Sequence, residues 1–77
     1  MDKARLKWLC RRGMKELDVV MERYLNGRYD RAPEAERAAF VALTSEEDPQ
    51  IWSWIMGFED LPAGETGHVI EQLRQHR

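Results

Sequence analysis

Within eight residues, Arg11-Arg12-Gly13-Met14-Lys15-Glu16-Leu17-Asp18, the chain sets two guanidinium groups, a residue with no side chain and two carboxylates next to one another. Guanidinium forks and carboxylates recognise charged and polar groups, and a glycine leaves bare backbone that another chain can approach closely. On one continuous helix, Arg12 and Glu16 would form an i, i+4 ion pair worth about 0.3–0.5 kcal/mol, with Gly13 as a hinge. That account leaves over the setting of the glycine, which stands between two amphipathic segments and amid charges on both sides. The chemistry this spacing suits is recognition of a protein surface rather than the making of bonds.

No other cluster supplies a reaction. The hydroxyls are Thr44, Ser45, Ser53 and Thr66, and His68 and His76 sit together near the carboxyl end, so no nucleophile, base and orienting acid are arrayed for hydrolysis. Glu46-Glu47-Asp48 precedes a helix start, where capping and complementarity to the helix dipole account for acidic residues, and no metal is assigned to it. Cys10 is the single cysteine, and with two histidines it makes neither a disulfide nor a structural zinc site. Gly57, Gly64 and Gly67 read as turn residues without the strand and lysine context of a phosphate loop. Trp8, Trp52 and Trp54 are read as core and boundary residues in preference to a stacking platform, with Trp54 the most central.

Charge narrows the partners. Residues 1–31 sum to +4 and residues 32–77 to −6, for a net charge of −2 and a pI near 5.6, which argues against nucleic acid. Lys3, Lys7 and Arg11 recur every fourth residue and form a cationic stripe, by default a solvated face and otherwise a docking surface for an acidic partner. The longest apolar run, Ala38 to Leu43, is far short of the roughly 20 residues that cross a bilayer, so no membrane insertion is expected. Met1-Asp2-Lys3-Ala4-Arg5 leads into no apolar signal core, and an unpaired cysteine suits a reducing compartment, so a cytoplasmic location is expected.

The elements that must position these residues are helical throughout, forming one all-α domain of five helices over 1–77. Leu6, Leu9, Cys10 and Gly13 follow helical spacing, as do Met14, Leu17, Met21 and Tyr24, with Gly13 as the break between them. Asn26-Gly27 is a helix stop with Asn or Gly in the left-handed position, and Pro33 falls in the first turn of a third helix that turns Ala39, Phe40 and Leu43 inward. The alanines of that third helix permit close approach of a neighbour. Asp48 caps a fourth helix with Pro49 at its first position, and Ile51, Trp54, Ile55 and Phe58 face the core. A fifth helix carries Thr66, Val69, Ile70 and Leu73. The core is expected to rest on Ile51, Trp54 and Ile55 with Leu9, Leu17, Met21, Phe40, Leu43, Val69, Ile70 and Leu73.

Arg12-Gly13-Met14-Lys15-Glu16 also matches the Arg-Gly-x-x-Glu motif of the succinate dehydrogenase flavinylation, or assembly, factors. Lys3-Ala4-Arg5-Leu6-Lys7-Trp8, Cys10-Arg11 and Leu17-Asp18 flank it as in bacterial members, and Tyr29-Asp30 and Asp48-Pro49-Gln50-Ile51-Trp52-Ser53-Trp54-Ile55 resemble later family segments. The resemblance implies a five-helix, non-catalytic chaperone. Such a factor binds the flavoprotein subunit of succinate dehydrogenase, with that of fumarate reductase as a further client, and promotes covalent attachment of FAD to a histidine there. It implies no cofactor bound by the chain's own motif, since nucleophile and FAD belong to the partner. Carried onto this sequence, the partner-binding residues are Arg12, Gly13 and Glu16, with Arg11 and Asp18 as neighbours; Gly13 permits close contact and Glu16 makes a polar one. The alternative from another class is a small antitoxin-like or adaptor protein that regulates a partner by binding it.

Overall fold

Asp2 accepts the amide of Ala4 at 3.2 Å, and this side-chain cap starts the first helix, α1 (Lys3–Leu9). The computed structural model describes residues 2–77; Met1, the first residue of the non-apolar start noted above, lies outside them. Four further α-helices follow: α2 (Lys15–Gly27), α3 (Glu34–Leu43), α4 (Asp48–Met56) and α5 (Glu65–Arg74), with a single 3-10 turn, Tyr29–Arg31, between α2 and α3. Among the described residues there is no strand, and no helix is long and apolar enough to cross a membrane.

Helical periodicity puts one face of each helix inside. Leu6 of α1, Leu17, Val20, Met21, Tyr24 and Leu25 of α2, Phe40 and Leu43 of α3, Ile51 and Ile55 of α4, and Val69, Ile70 and Leu73 of α5 are all buried. The last helix is the hub, packing against α3, α4 and α2. Its first turn lies so close to the preceding loop that a Cβ on Gly67 would stand 2.1 Å from the Pro62 carbonyl oxygen, so only glycine fits there. Gly67 is thus a helical packing residue and not part of a turn.

Several boundaries differ from the sequence reading for local reasons. Helix α4 ends at Met56 because Gly57 takes φ +78° and reverses the chain, with Phe58 N–H bonded to Ser53 O at 2.9 Å and Gly57 N–H to Trp54 O at 3.2 Å. Phe58 therefore leaves the helical register and is 73% exposed, where spacing alone placed it inward. Trp54 is half-buried against the core and Leu9 is half-buried outside it, so neither lies within it. Asn26 and Gly27 stay inside α2 without a left-handed residue, and Pro33 precedes α3 as its cap. Ala35, Ala38 and Ala42 face solvent, and of the alanines of α3 Ala39 alone packs against the core. The Asp48 side chain does not cap α4; the helix begins at Asp48 itself, after Glu47, with no side-chain cap bond.

Glu36, placed by its sequence near the positive end of α3, is buried at 1% exposure on the line that Phe40 and Leu43 continue. Its carboxylate accepts from Tyr24 Oη at 2.6 Å, from Arg28 Nε at 2.7 Å and from Arg28 Nη2 at 2.9 Å, and lies 2.8 Å from His68 Nε2. The Arg28 hydrogen bonds outweigh desolvation, and with help from Tyr24 and His68 they hold the Glu36 carboxyl at about 2. Burial, followed by the bond to this carboxylate, pushes the Tyr24 phenol upward.

Removing the carboxylate leaves the buried Tyr24 hydroxyl without its acceptor, a loss of about 1–3 kcal/mol, while the partly exposed Arg28 turns to water. Glu36→Ala is therefore expected to melt well below wild type by circular dichroism. Because the folded carboxyl lies below its ordinary value, its contribution is complete above about pH 4.5 and is lost as pH falls toward 2. Glu36→Gln should melt at lower temperature than wild type at neutral pH and lose less of its melting temperature on acidification. Parallel melting curves for the two proteins across that range would show that the carboxylate is not the anchor.

Candidate functional site

The segment between α1 and α2 is a loop rather than a kink. Cys10 N–H closes α1 onto Leu6 O at 3.0 Å, Arg11 N–H reaches Trp8 O at 3.1 Å, and α2 begins after Met14, whose carbonyl accepts the Asp18 amide at 2.9 Å. Between them Gly13 adopts φ +87°, a conformation that residues with a side chain rarely take. No atom lies within 4 Å of where a Cβ on Gly13 would stand, so the positive φ, not crowding, is what disfavours a side chain there. The loop thus shows bare backbone to solvent.

Residue 12 is held at both ends. Its amide donates to Asp18 Oδ1 at 2.5 Å, and its guanidinium, only 12% exposed, turns inward. There Nε pairs with Asp48 Oδ1 at 2.7 Å, Nη1 donates to Thr44 O at 2.6 Å and Leu9 O at 3.2 Å, and Nη2 donates to Glu46 O. Thr44 and Glu46 lie just past the end of α3, where carbonyls lack intrahelical partners and a cation complements the dipole. Asp48 stands in the first turn of α4, where the dipole favours an anion. The guanidinium therefore sits where two helix ends meet, and its ionic partner is Asp48, not the Glu16 that helical spacing suggested.

Arg11, Gly13 and Glu16 are exposed, and Asp18 is half-buried beneath them. Two surface grooves adjoin the loop. Trp8, 71% exposed, lines one with Arg11, Arg12 and the Glu46–Pro49 turn; Glu16 lines the other with Lys15, Val19, Val20, Trp52 and Arg77. Trp8 was read from sequence as a core or boundary residue, yet its ring stands in solvent beside the loop. Of the cationic stripe, Lys3 is engaged with Asp30 at 2.6 Å, while Lys7 and Arg11 remain exposed. Asp48 escaped the sequence reading as a site residue because its place before Pro49 already had a sufficient explanation in capping. A cavity of about 30 Å³ beside Cys10 has room for a water. Among the described residues no cluster of three or more His, Cys, Asp or Glu side chains is placed to hold a metal ion.

Residues 4–77 match the family model described as flavinator of succinate dehydrogenase. Proteins named FAD assembly factor SdhE are similar over most of their length. The one from Aliivibrio fischeri is 48% identical over 75 residues, covering 97% of this chain and 87% of its own. That of Xylella fastidiosa is 47% identical over 70 residues, covering 91% and 72%, and that of Shewanella oneidensis 36% identical over 74 residues, covering 96% and 90%. No solved structure matches the chain.

Cys10 is buried beside α2, and burial pushes its thiol up to about 11 against the opposing pull of Arg12. Thiolate is the reactive form, so Cys10 should react with a disulfide reagent at pH 8 far more slowly than an unfolded control. Reaction at the unfolded rate in the native protein would show that the thiol is not buried.

Proposed function

The chain belongs to the family of succinate dehydrogenase flavinators, and we propose that it is an assembly factor that binds the flavoprotein subunit of that enzyme and promotes covalent attachment of FAD. The observation that carries the reading is the solvent-facing Gly13 turn, in a chain that matches the family from residue 4 to residue 77. The docking face is Arg11, Arg12, Gly13, Glu16 and Asp18. Arg11 and Glu16 present charge, Gly13 presents backbone, and Arg12 and Asp18 shape the turn from beneath. The fumarate reductase flavoprotein is a further client, the compartment is the cytoplasm, and the factor carries no FAD of its own.

The factor is a chaperone and not a catalyst in this reading. The histidine and the FAD both belong to the client, and holding two reactants in a productive arrangement can by itself account for a large acceleration. What this chain supplies is a rigid docking face. Gly13 lets the client backbone come within contact distance, and Glu16, at the start of α2, offers one acceptor beside it. Both residues are exposed, so their replacement leaves the packing intact.

In cells making the client flavoprotein, Gly13→Arg and Glu16→Ala should each lower covalent flavin, read by in-gel fluorescence, by about tenfold or more while circular dichroism stays unchanged. Gly13→Ala brings the same backbone strain without the reach of arginine, and should retain more flavin than Gly13→Arg. Normal flavin content in both folded Gly13→Arg and Glu16→Ala would refute the docking face.

An exposed cationic stripe accelerates encounter with an acidic surface, and salt screens it. Lys7→Gln with Arg11→Gln should slow association with the client several-fold at low ionic strength, the difference closing at high salt. Stopped-flow rates insensitive to both changes would reduce the stripe to a solvated face.

A further inference from the structure

The guanidinium of the Arg-Gly-x-x-Glu motif is committed inside the protein, so its part in docking has to pass through what holds it. We propose that Asp48, on α4 and 36 residues along the chain from Arg12, is a positioning residue for the client-docking turn. This inference rests on the reading of the chain as a flavin-attachment factor.

Among the groups that receive the guanidinium, Asp48 is the one full charge; Leu9, Thr44 and Glu46 offer carbonyl oxygens. A charge-assisted bond at 2.7 Å between side chains only 12% and 26% exposed is worth more than a solvated surface pair. Helix α1 is absent from the extensive helix–helix contacts and is rooted by Leu6, by Cys10 at its end and by the exposed Lys3–Asp30 pair, none of which touches the turn itself. Asp18 grips the amide of residue 12 from α2, and Asp48 grips its side chain from α4. The peptide that enters Gly13 is thereby fixed relative to two helices at once, and the left-handed turn presents its backbone in one orientation.

Without the Asp48 carboxylate, the guanidinium keeps carbonyl partners but loses its counter-charge, and the turn samples other orientations. Apparent affinity for the client then falls in proportion to the fraction of molecules with a competent turn. Attachment at saturating factor is unchanged, because Asp48 touches neither the client's histidine nor its FAD.

The test titrates the factor against purified apo flavoprotein subunit with free FAD and reads the rate of covalent flavin formation, counting only the folded fraction found by circular dichroism. Asp48→Asn, which preserves shape, and Asp48→Ala should each raise the half-saturating factor concentration by about tenfold with the maximal rate retained. Asp48→Glu should recover most of the affinity. Adding Asp48→Ala to Arg12→Ala should cost nothing beyond Arg12→Ala alone. A role in stability alone would lower the folded fraction and leave the half-saturation point of the folded protein in place, which overturns the proposal. So would a fall in maximal rate, or losses that multiply in the double variant. A wild-type chain that stimulates no attachment would instead overturn the functional reading on which this inference stands.

Discussion

One buried carboxylate joins three parts of a chain that has a single cysteine and no metal cluster among its described residues. Glu36 takes hydrogen bonds from Tyr24 on α2 and from Arg28 just beyond it, and meets His68 on α5. Taking a charge out of water costs several kcal/mol, and only a full set of donors offsets that cost. The rest of the core is apolar, and apolar contact is non-directional. Val69, Ile70 and Leu73 of α5 could pack against α2 and α3 at more than one rotation of the helix. The carboxylate, with donors fixed in direction, favours one, and the close approach of Gly67 to Pro62 narrows the choice further.

The loop that carries the motif is built by the same rule with different parts. Arg12 and Asp48 form a second arginine–carboxylate pair, here between the basic first third of the chain and its acidic remainder. The two pairs divide the work. Glu36 ties together the helices that make most of the core, whereas Arg12 ties the loop after α1, a helix rooted in that core by Leu6, to the end of α3 and the start of α4. The exposed residues of the loop, Gly13 and Glu16 among them, thus stand on a scaffold without contributing to its centre.

What could be read in the sequence was what repeats. Five helices, their order and most of the inward positions follow from apolar spacing, because burial of one helical face is periodic. What could not be read was what depends on a partner distant in sequence. Arg12 has an acid four residues away in Glu16, and nothing local reveals that it turns instead to Asp48. Asp48 before Pro49 is a sufficient cap in one dimension and an ion-pair partner in three. Phe58 continued the apolar line of α4 by count, but the reversal at Gly57 cut that line one residue earlier. Glu36 left the clearest trace: a carboxylate four residues before Phe40 and seven before Leu43 stands on the buried face. Its simpler explanation, proximity to the helix start, concealed it.

Two glycines show how one residue type answers to different surroundings. At Gly67 the Pro62 carbonyl occupies the space of a Cβ, so the glycine is required by the protein's own packing. At Gly13 that space is empty, and the positive φ alone disfavours a side chain. A turn needing positive φ commonly also accepts asparagine, which tolerates the left-handed region. Conformation therefore does not by itself restrict the site to glycine. A second body approaching the open backbone would, because it would fill from outside the space that Pro62 fills from within at Gly67. On the proposed docking reading, the Arg-Gly-x-x-Glu pattern would have its physical basis there: the arginine is held by the fold, and the glycine would be required by the approaching partner.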